Sequence, residues 1–293
     1  MKHNIYLKIG SIVMIALLLL IPAFMISGLI SERESTQSRA ILEVSSKWGG
    51  QQTLTGPFIS IPYYRYVRET VGKDSAGRLV QVKDYIHILP DKLDIAGEIS
   101  PQKRERGIYE IVVYDSKLNF SGTFQKLDFG ALDFRPQNIQ FDKAEFVLGI
   151  PDLRGIEKQI SLQWNDAQVS FNPGVSSTDV VNSGINARVI VSDSDSLTYR
   201  FSFSLDLKGS QLLYFTPMGK ETDITMHSGW ANPSFNGAFL PDSREISAAG
   251  FNANWNVLHL NRNFPQIWSG ARYNTTESAF GVDLLLPVDN YQK

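Results

Sequence analysis

The apolar and polar positions of the chain fall into two regimes, and the first is a single long apolar run. Ile9–Ile30 contains 22 residues and no charged side chain. As a helix this run is about 33 Å long, which is enough to cross a hydrocarbon core of roughly 30 Å. Because backbone groups in lipid must bond within their own segment, the run is predicted to be helical, with a kink at Pro22.

The charges that flank this run predict its orientation. Lys2 and Lys8 precede it, whereas Glu32, Arg33 and Glu34 follow it. The basic flank of a membrane helix stays in the cytoplasm, so the rest of the chain is predicted to lie outside. A cleaved signal peptide is the main alternative, although such apolar regions are usually about 7–15 residues long and end at a small-x-small site. A buried core helix is the other alternative.

The segment after the apolar run has the pattern of a continuing helix. Residues 31–47 carry polar positions on most sides, and Gly49-Gly50 ends the pattern. We favour a stalk that holds a domain away from the bilayer, and a helix that pairs with a partner's helix is the alternative. The more apolar face contains Ile30, Arg33, Gln37, Ala40, Ile41 and Val44.

Beyond residue 51 the pattern alternates with period two. In residues 197–208, Leu, Tyr and Phe alternate with Thr, Arg, Ser, Asp and Lys, as in an antiparallel strand with one buried face. A dozen similar short runs, separated by turn signals, predict an all-β fold, either a sandwich or a barrel, and we favour a large antiparallel β-sandwich. The predicted organisation is a transmembrane anchor (1–30), a helical stalk (31–50) and a β-sandwich domain (51–293). The loop-like stretch 172–184 leaves open a division into two subdomains.

Composition and motifs narrow the chemistry. The charged fraction is 20%, the apolar fraction 43% and the net charge -2, so the chain is globular and not a basic nucleic-acid binder. The absence of cysteine excludes thiolate metal sites and cysteine nucleophiles. Familiar catalytic and nucleotide-binding motifs are missing, and the four histidines are isolated. The sequence therefore predicts no catalytic residues, no metal and no cofactor, and the acidic tip at 193–196 is interpreted as a plain hairpin turn rather than a calcium loop.

Two charged pairs and one basic run remain as candidates for chemistry. Asp152 near Arg154, and Glu245 beside Arg244, could each supply half of a catalytic carboxylate pair, but structural ion pairs are favoured. The basic run at 103–106 is interpreted as a solvated loop between strands, with contact to phosphate or an anionic glycan as the alternative.

The segment from His227 to Trp255 is rich in aromatic residues, Gly, Pro and Asn. Pro233 and Pro241 exclude a central strand position, so we expect a long irregular loop. Such a loop either closes the end of the sandwich as a plug or forms a binding surface. The predicted contact residues are Trp230, Asn232, Phe235, Phe239, Arg244 and Glu245.

The same segment carries a family resemblance. Trp230–Trp255, with W-x-N-P-S-F-x-G-x-F-L-P followed by R-E-I and G-F-x-A-x-W, resembles the corresponding stretch of the CreD family of bacterial inner-membrane proteins. Shorter agreements occur in the same order along the whole chain. They are Leu20-Ile21-Pro22, Ser31-Glu32-Arg33, Leu54-Thr55-Gly56-Pro57, Gly107-Ile108-Tyr109, Asp152-Leu153-Arg154-Gly155-Ile156 and Val288-Asp289-Asn290-Tyr291-Gln292.

The resemblance implies a Gram-negative inner-membrane protein with a large periplasmic region after the first membrane helix. It implies a link to a carbon-source-responsive two-component regulon and to envelope stress, including colicin tolerance and the response to β-lactams. No enzymatic activity is established for the family. Its members continue into further membrane helices, so this chain, which ends at Lys293, is expected to be the anchor and periplasmic domain of a longer protein.

Three functions follow as hypotheses. The preferred one is a non-enzymatic, single-pass inner-membrane protein that is held in the bilayer by residues 9–30. Its periplasmic domain would support the envelope by binding an envelope protein or a cell-wall glycan, and it would bind no nucleic acid. The alternatives are a cell-wall glycan-binding protein or hydrolase, and a sensor that passes a periplasmic signal through the stalk.

Overall fold

The computed structural model describes residues 3–69, 78–125, 129–132, 138–192, 198–284 and 286. It contains one long helix, α1 (His3–Trp48), five short 3-10 helices and seventeen strands within these residues. The 3-10 helices are Phe129–Ala131, Phe141–Lys143, Leu153–Gly155, His259–Asn261 and Thr275–Ser278. The strands are β1 (Gln52–Glu69), β2 (Arg78–Ile88), β3 (Lys92–Arg106), β4 (Tyr109–Phe124), β5 (Glu145–Gly149), β6 (Ser161–Trp164), β7 (Ala167–Ser170), β8 (Asn172–Pro173), β9 (Gly184–Arg188), β10 (Tyr199–Ser210), β11 (Leu212–Thr216), β12 (Glu221–Ser228), β13 (Pro233–Gly237), β14 (Ser243–Ser247), β15 (Gly250–Leu258), β16 (Ile267–Ser269) and β17 (Phe280–Leu284).

The helix α1 is continuous through the predicted anchor and the predicted stalk. Its 46 residues span about 69 Å at 1.5 Å per residue. Every residue from 9 to 30 is exposed, and Pro22 lies inside the helix. The helix ends at Trp48, directly before Gly49-Gly50, as the sequence predicts.

The strands form two sheets. The first has the order β13-β17-β11-β1-β5-β9-β8, with β2 paired to β1 and β16 paired to β2. The second has the order β14-β15-β12-β3-β4-β10-β6-β7. Together with α1 they confirm the prediction of an all-β fold that follows one N-terminal helix. Most neighbouring strands are antiparallel, but β1 pairs with β11 in parallel and β12 pairs with β3 in parallel. Residues on both sides of the stretch 172–184 belong to one hydrophobic core.

Aromatic rings join the two sheets through this shared core. Phe146 of β5 contacts Phe201 and Phe203 of β10, with ring centroids 5.1 and 5.9 Å apart. Phe203 in turn stacks on Phe120 of β4 at 4.7 Å. The inward positions of β10 are buried and the outward ones are mainly exposed, which matches the alternation in its sequence.

Strand β4 departs from simple alternation where α1 packs on it. Val112 and Tyr114 point into the main core, whereas Ile111 and Val113 form a second small cluster with α1. Four consecutive residues are therefore buried, because the strand is covered on both faces. The second sheet thus carries the helix on the face opposite the core.

Two expectations about irregular segments are wrong. The stretch from Pro233 to Trp255 is not a long loop, because it contains β13, β14 and most of β15. Pro233 is tolerated there since β13 is an edge strand of the first sheet. The basic run at 103–106 is also not a loop, because it pairs with β4 as the last part of β3. The predicted turn at 193–196 and the motif at 288–292 lie outside the described residues.

Candidate functional site

The best-defined site is the contact between the end of α1 and the outer face of the second sheet, which we call the helix–sheet junction. Ala40 is buried against Ile111 and Val113, which are 2% and 0% exposed. Val44 and Trp48 extend this apolar contact one and two turns further along the helix. The stalk segment is therefore docked on the β domain over its last turns rather than standing free of it.

Trp48 closes the apolar contact at the end of the helix. Its indole Nε1 donates a hydrogen bond of 3.2 Å to the main-chain carbonyl of Tyr114. The guanidinium of Arg104 and the ammonium of Lys208 lie 4.8 and 4.6 Å from the centre of its ring. A cation within about 6 Å of an indole face is attracted to it, so Trp48 holds strands β3 and β10 to the helix.

An ion pair secures the side of the junction nearer the apolar run. The guanidinium of Arg106 donates two hydrogen bonds to the carboxylate of Glu43, at 2.9 and 2.6 Å. These bonds hold the pKa of Glu43 below its usual value. A cleft of about 260 Å³ lies beside this pair and is lined by Glu43, Val44, Lys47, Trp48, Arg104, Glu105 and Arg106.

A second charged group caps the end of the helix. The carboxylate of Asp152 accepts hydrogen bonds from the Gly50 backbone at 2.9 Å and from the side chain of Arg154 at 2.8 and 2.9 Å. Arg154 also donates to the carbonyl of Ser46 at 2.7 Å, which satisfies one of the free carbonyls of the last turn. The hydrogen bonds from Arg154, with those from the backbone, lower the pKa of Asp152. Asp152 and Arg154 therefore form a structural ion pair at the helix end.

The backbone at Gly49 lies so close to the backbone of Lys208 that only glycine fits there. A Cβ on Gly49 would lie 2.7 Å from the carbonyl oxygen of Lys208. The hydroxyl groups of Ser45 and Ser210 are 2.9 Å apart and buried. The end of α1 is thus held by apolar contact, ion pairs and direct backbone packing at once.

Most of the junction residues were not predicted from the sequence, although one sequence pattern indicates the contact. A run of four apolar residues in β4, Ile111–Tyr114, is inconsistent with a strand that has one solvated face. Such a run indicates a second covering layer, and the amphipathic helix that precedes the β region is the available element. Glu43, Arg104 and Arg106 could not be found in this way, because charged surface residues have no such periodic signal.

The predicted contact residues are divided between core and surface. Trp230 and Asn232 are half-buried, and the indole Nε1 of Trp230 donates to the carbonyl of Asn232 at 3.0 Å. Phe235 is 8% exposed and packs edge-on against Phe251 and Trp255. Its ring is therefore a core ring, which corrects the expectation that it is available to a partner.

The other predicted contact residues lie further along the same segment. Phe239 is half-buried and packs edge-on against Phe280, with the ring centroids 5.5 Å apart. Arg244 and Glu245 are exposed on β14, the first strand of the second sheet. Their use as a contact surface stays a prediction.

A serine–histidine–aspartate array joins β1 and β2 to the segment between β8 and β9. The Ser60 hydroxyl is 3.2 Å from Nδ1 of His87, and Nε2 of His87 is 3.1 Å from the carboxylate of Asp179. The hydrogen bond from His87 lowers the pKa of Asp179. Ser60 and His87 are 3% and 1% exposed, as cross-strand neighbours in the sheet. A nucleophile must meet its substrate, whereas this serine lies inside the fold, where it links β1 to the histidine of β2.

Two further clefts occur in the first sheet. One of about 490 Å³ lies between β1, β2 and the turn after β16, and it is lined by Tyr63, Arg65, Asp84, Ser269, Gly270, Ala271 and Arg272. Another of about 410 Å³ is lined by Thr53, Thr55, Gly149, Ile150, Pro151, Val180, Val181, Asn182, Ser183, Asn274 and Thr276. In the part of the chain that the structure describes, no group of three or more His, Asp or Glu side chains is placed to hold a metal ion.

The fold and the junction together define a class of protein. It has an all-β domain docked on one long helix, and among the described residues this is the one helix long and apolar enough to cross a membrane. The family model described as "Inner membrane protein CreD" matches residues 4–293, and the chain belongs to the CreD family. The resemblance inferred from the sequence is thereby confirmed.

A curated relative agrees with this assignment. The chain is 29% identical over 298 residues to the inner membrane protein CreD of Escherichia coli strain K12. The match covers all of this chain and 64% of that protein, so the chain spans less than two thirds of the length of its relative.

Solved structures add nothing to the assignment. An M1 zinc metallopeptidase of Deinococcus radiodurans matches 58% of this chain and 38% of its own at 9% identity, with a TM-score of 0.28. A two-domain M1 zinc metallopeptidase bound to L-arginine matches 62% of this chain and 42% of its own at 10% identity, with a TM-score of 0.27. Likenesses this weak carry no argument about fold or chemistry.

Proposed function

We propose that this chain is a non-enzymatic, single-pass anchor and periplasmic domain that supports cell-envelope integrity or the response to envelope stress by binding a partner. The observation that carries the proposal is the division of α1. Its residues 9–30 are apolar and exposed, whereas Ala40, Val44 and Trp48 are docked on the β domain. Lysines before the apolar run, with acids after it, support a periplasmic position for the domain.

An envelope protein is the partner that the exposed surface supports best. All five residues of β14 are exposed, and this strand is at the edge of its sheet within the described residues. An edge strand offers unpaired backbone groups to a strand of another chain. Ile246 on this strand is 49% exposed, and Leu240 just before it is 63% exposed. Arg244 and Glu245 add charge to the same edge.

A cell-wall glycan is the alternative partner. Sugars stack on exposed aromatic rings, but Phe235 is a core residue and Phe239 packs on Phe280. The predicted segment therefore supports an edge-strand contact better than a sugar platform.

A photo-crosslinking residue in place of Glu245 tests the contact. In cells we expect a discrete crosslinked envelope protein from this position and none from the same residue at Ile190, which is 83% exposed. Ile246→Lys should abolish the crosslink, since a lysine on an edge strand opposes strand addition. Leu258→Lys is the matched control, because Leu258 is 45% exposed on β15.

Three outcomes would contradict this contact. Equal crosslinks at positions 245 and 190 would show no preferred edge. Crosslinks that survive Ile246→Lys would remove the role of β14. Specific capture of muropeptides instead of a protein would favour the glycan alternative.

A further inference from the structure

The hairpin that joins β3 to β4 ends beside the part of α1 that leaves the apolar run. Arg106 and Tyr109 form its last pair, and Gly107 and Ile108 form the turn. The hydroxyl of Tyr109 donates a hydrogen bond of 3.4 Å to the main-chain carbonyl of Arg33. The Tyr109 side chain, at the end of the hairpin that carries Ile108, therefore reaches the first turn of α1 after Ile30.

This level corresponds to the polar layer of a bilayer that holds residues 9–30. Arg33 lies three helical steps after Ile30, which is about 4.5 Å along the axis. The layer of lipid headgroups outside the hydrocarbon core is roughly 5–7 Å thick on each side. The carbonyl of Arg33, and the Tyr109 hydroxyl bonded to it, fall within this layer.

The side chains at the tip have the character of a membrane contact. Ile108 is 82% exposed in a two-residue turn, a position that usually carries a polar residue or glycine. Gly107 has φ of 63°, so glycine provides the left-handed residue of the turn and Ile108 is not needed for it. Tyr109 beside it is a residue type enriched at the interface between lipid and water.

Two of the basic side chains near the tip are paired within the protein. Arg106 bonds to Glu43, and Lys103 bonds to Glu110 at 3.0 Å. The tip therefore lacks the cluster of free basic side chains with which proteins select anionic lipids. Its contact is apolar and does not depend on the charge of the headgroups.

We propose that the β3–β4 hairpin is a second membrane contact, in which Ile108 enters the outer layer of the same bilayer that α1 crosses. Together with α1 this contact gives the domain two points of support on the membrane and fixes its orientation over the lipid surface. The proposal rests on α1 spanning the membrane, and it is independent of any partner of β14.

The absence of cysteine from the sequence allows a direct test. The 293-residue chain is reconstituted in phosphatidylcholine nanodiscs, with one cysteine introduced by Ile108→Cys and labelled with an environment-sensitive fluorophore. We expect blue-shifted emission and strong quenching by lipids that carry a nitroxide near the headgroup. Replacing a third of the lipid with phosphatidylglycerol should leave the quenching unchanged.

Two controls make the result decisive. Ile190→Cys places the label at a residue of equal exposure. The carbonyl of Ile190 accepts a hydrogen bond from the indole of Trp164. Trp164 pairs with a part of β10 that lies opposite the end of β4 remote from the hairpin. This label should show no lipid quenching. Leu20→Cys lies in the apolar run and should be quenched by nitroxides deep in the bilayer.

The outcomes separate this proposal from the anchor itself. An unquenched label at position 108, with a quenched label at position 20, would overturn the second contact and leave the anchor in place. A label at position 108 that is blue-shifted but unquenched by lipid would show that protein covers the tip, and this would also overturn the proposal. An unquenched label at position 20 would show that α1 does not span the bilayer, and the proposed second contact would then lose its basis.

Discussion

The indole nitrogen of Trp48 donates its hydrogen to the carbonyl oxygen of Tyr114, 66 residues further along the chain. This bond joins the last residue of α1 to Tyr114 of β4, whose side chain is buried in the main core. The end of the helix is therefore connected to the core of the domain through one residue of β4.

Replacing Trp48 should weaken the docking of the helix. We expect Trp48→Ala to lower the free energy of unfolding by about 2 kcal/mol, less than for a fully buried tryptophan, because the side chain is half-exposed. Trp48→Phe should lose less stability than Trp48→Ala, because it removes only the hydrogen-bond donor and keeps a ring for Arg104 and Lys208. Urea unfolding in detergent measures both.

The control for this series is Leu42→Ala on the same helix. Leu42 is 68% exposed, so its truncation should leave the unfolding midpoint unchanged. Equal losses for Trp48→Ala and Leu42→Ala would mean that the junction contributes nothing specific to the stability of the domain.

The ion pair at the helix end should make stability depend on pH. The pKa of Asp152 is lowered in the folded protein by Arg154 and by backbone donors. Its contribution is therefore complete above the pKa of the unfolded chain and is lost as pH falls through the folded value. We expect the difference in unfolding free energy between wild type and Asp152→Asn to shrink as pH falls below about 4.

Urea midpoints measured from pH 6 downwards report this difference. Asp142→Asn, at an exposed aspartate of a 3-10 helix, is the matched control for the loss of one carboxylate. A difference for Asp152→Asn that stays constant with pH would contradict the role assigned to its carboxylate.

The Ser60–His87–Asp179 array should behave as part of the core rather than as a nucleophile. We expect no labelling of the folded protein by a fluorophosphonate probe, because Ser60 is 3% exposed. Ser60→Ala should cost about 1 kcal/mol of stability, the scale of one lost hydrogen bond, and should leave any envelope phenotype intact. Labelling that disappears in Ser60→Ala would instead support the hydrolase alternative.

Local patterns predicted the helix and the all-β class, and long-range contacts account for what they missed. The apolar run and the alternation of β10 concern neighbouring residues, so their structure follows from the sequence alone. The parallel pairs of β1 with β11 and of β3 with β12 join strands more than a hundred residues apart, and no local pattern specifies them. The aromatic residues after Trp230 suggested a surface, but Phe235, Phe251 and Trp255 occupy inward strand positions.

The helix α1 is unbroken between Ile30 and Trp48, so this part of it behaves as a rigid rod. The helix has no break in this part, and its C-terminal end is held to the β domain through Trp48, Glu43 and Ser46. Any change in the tilt of the helix within the lipid must therefore rotate the whole second sheet through the same angle. A membrane helix accommodates a mismatch with the bilayer thickness partly by tilting, so that thickness is thereby coupled to the distance of edge strand β14 from the membrane.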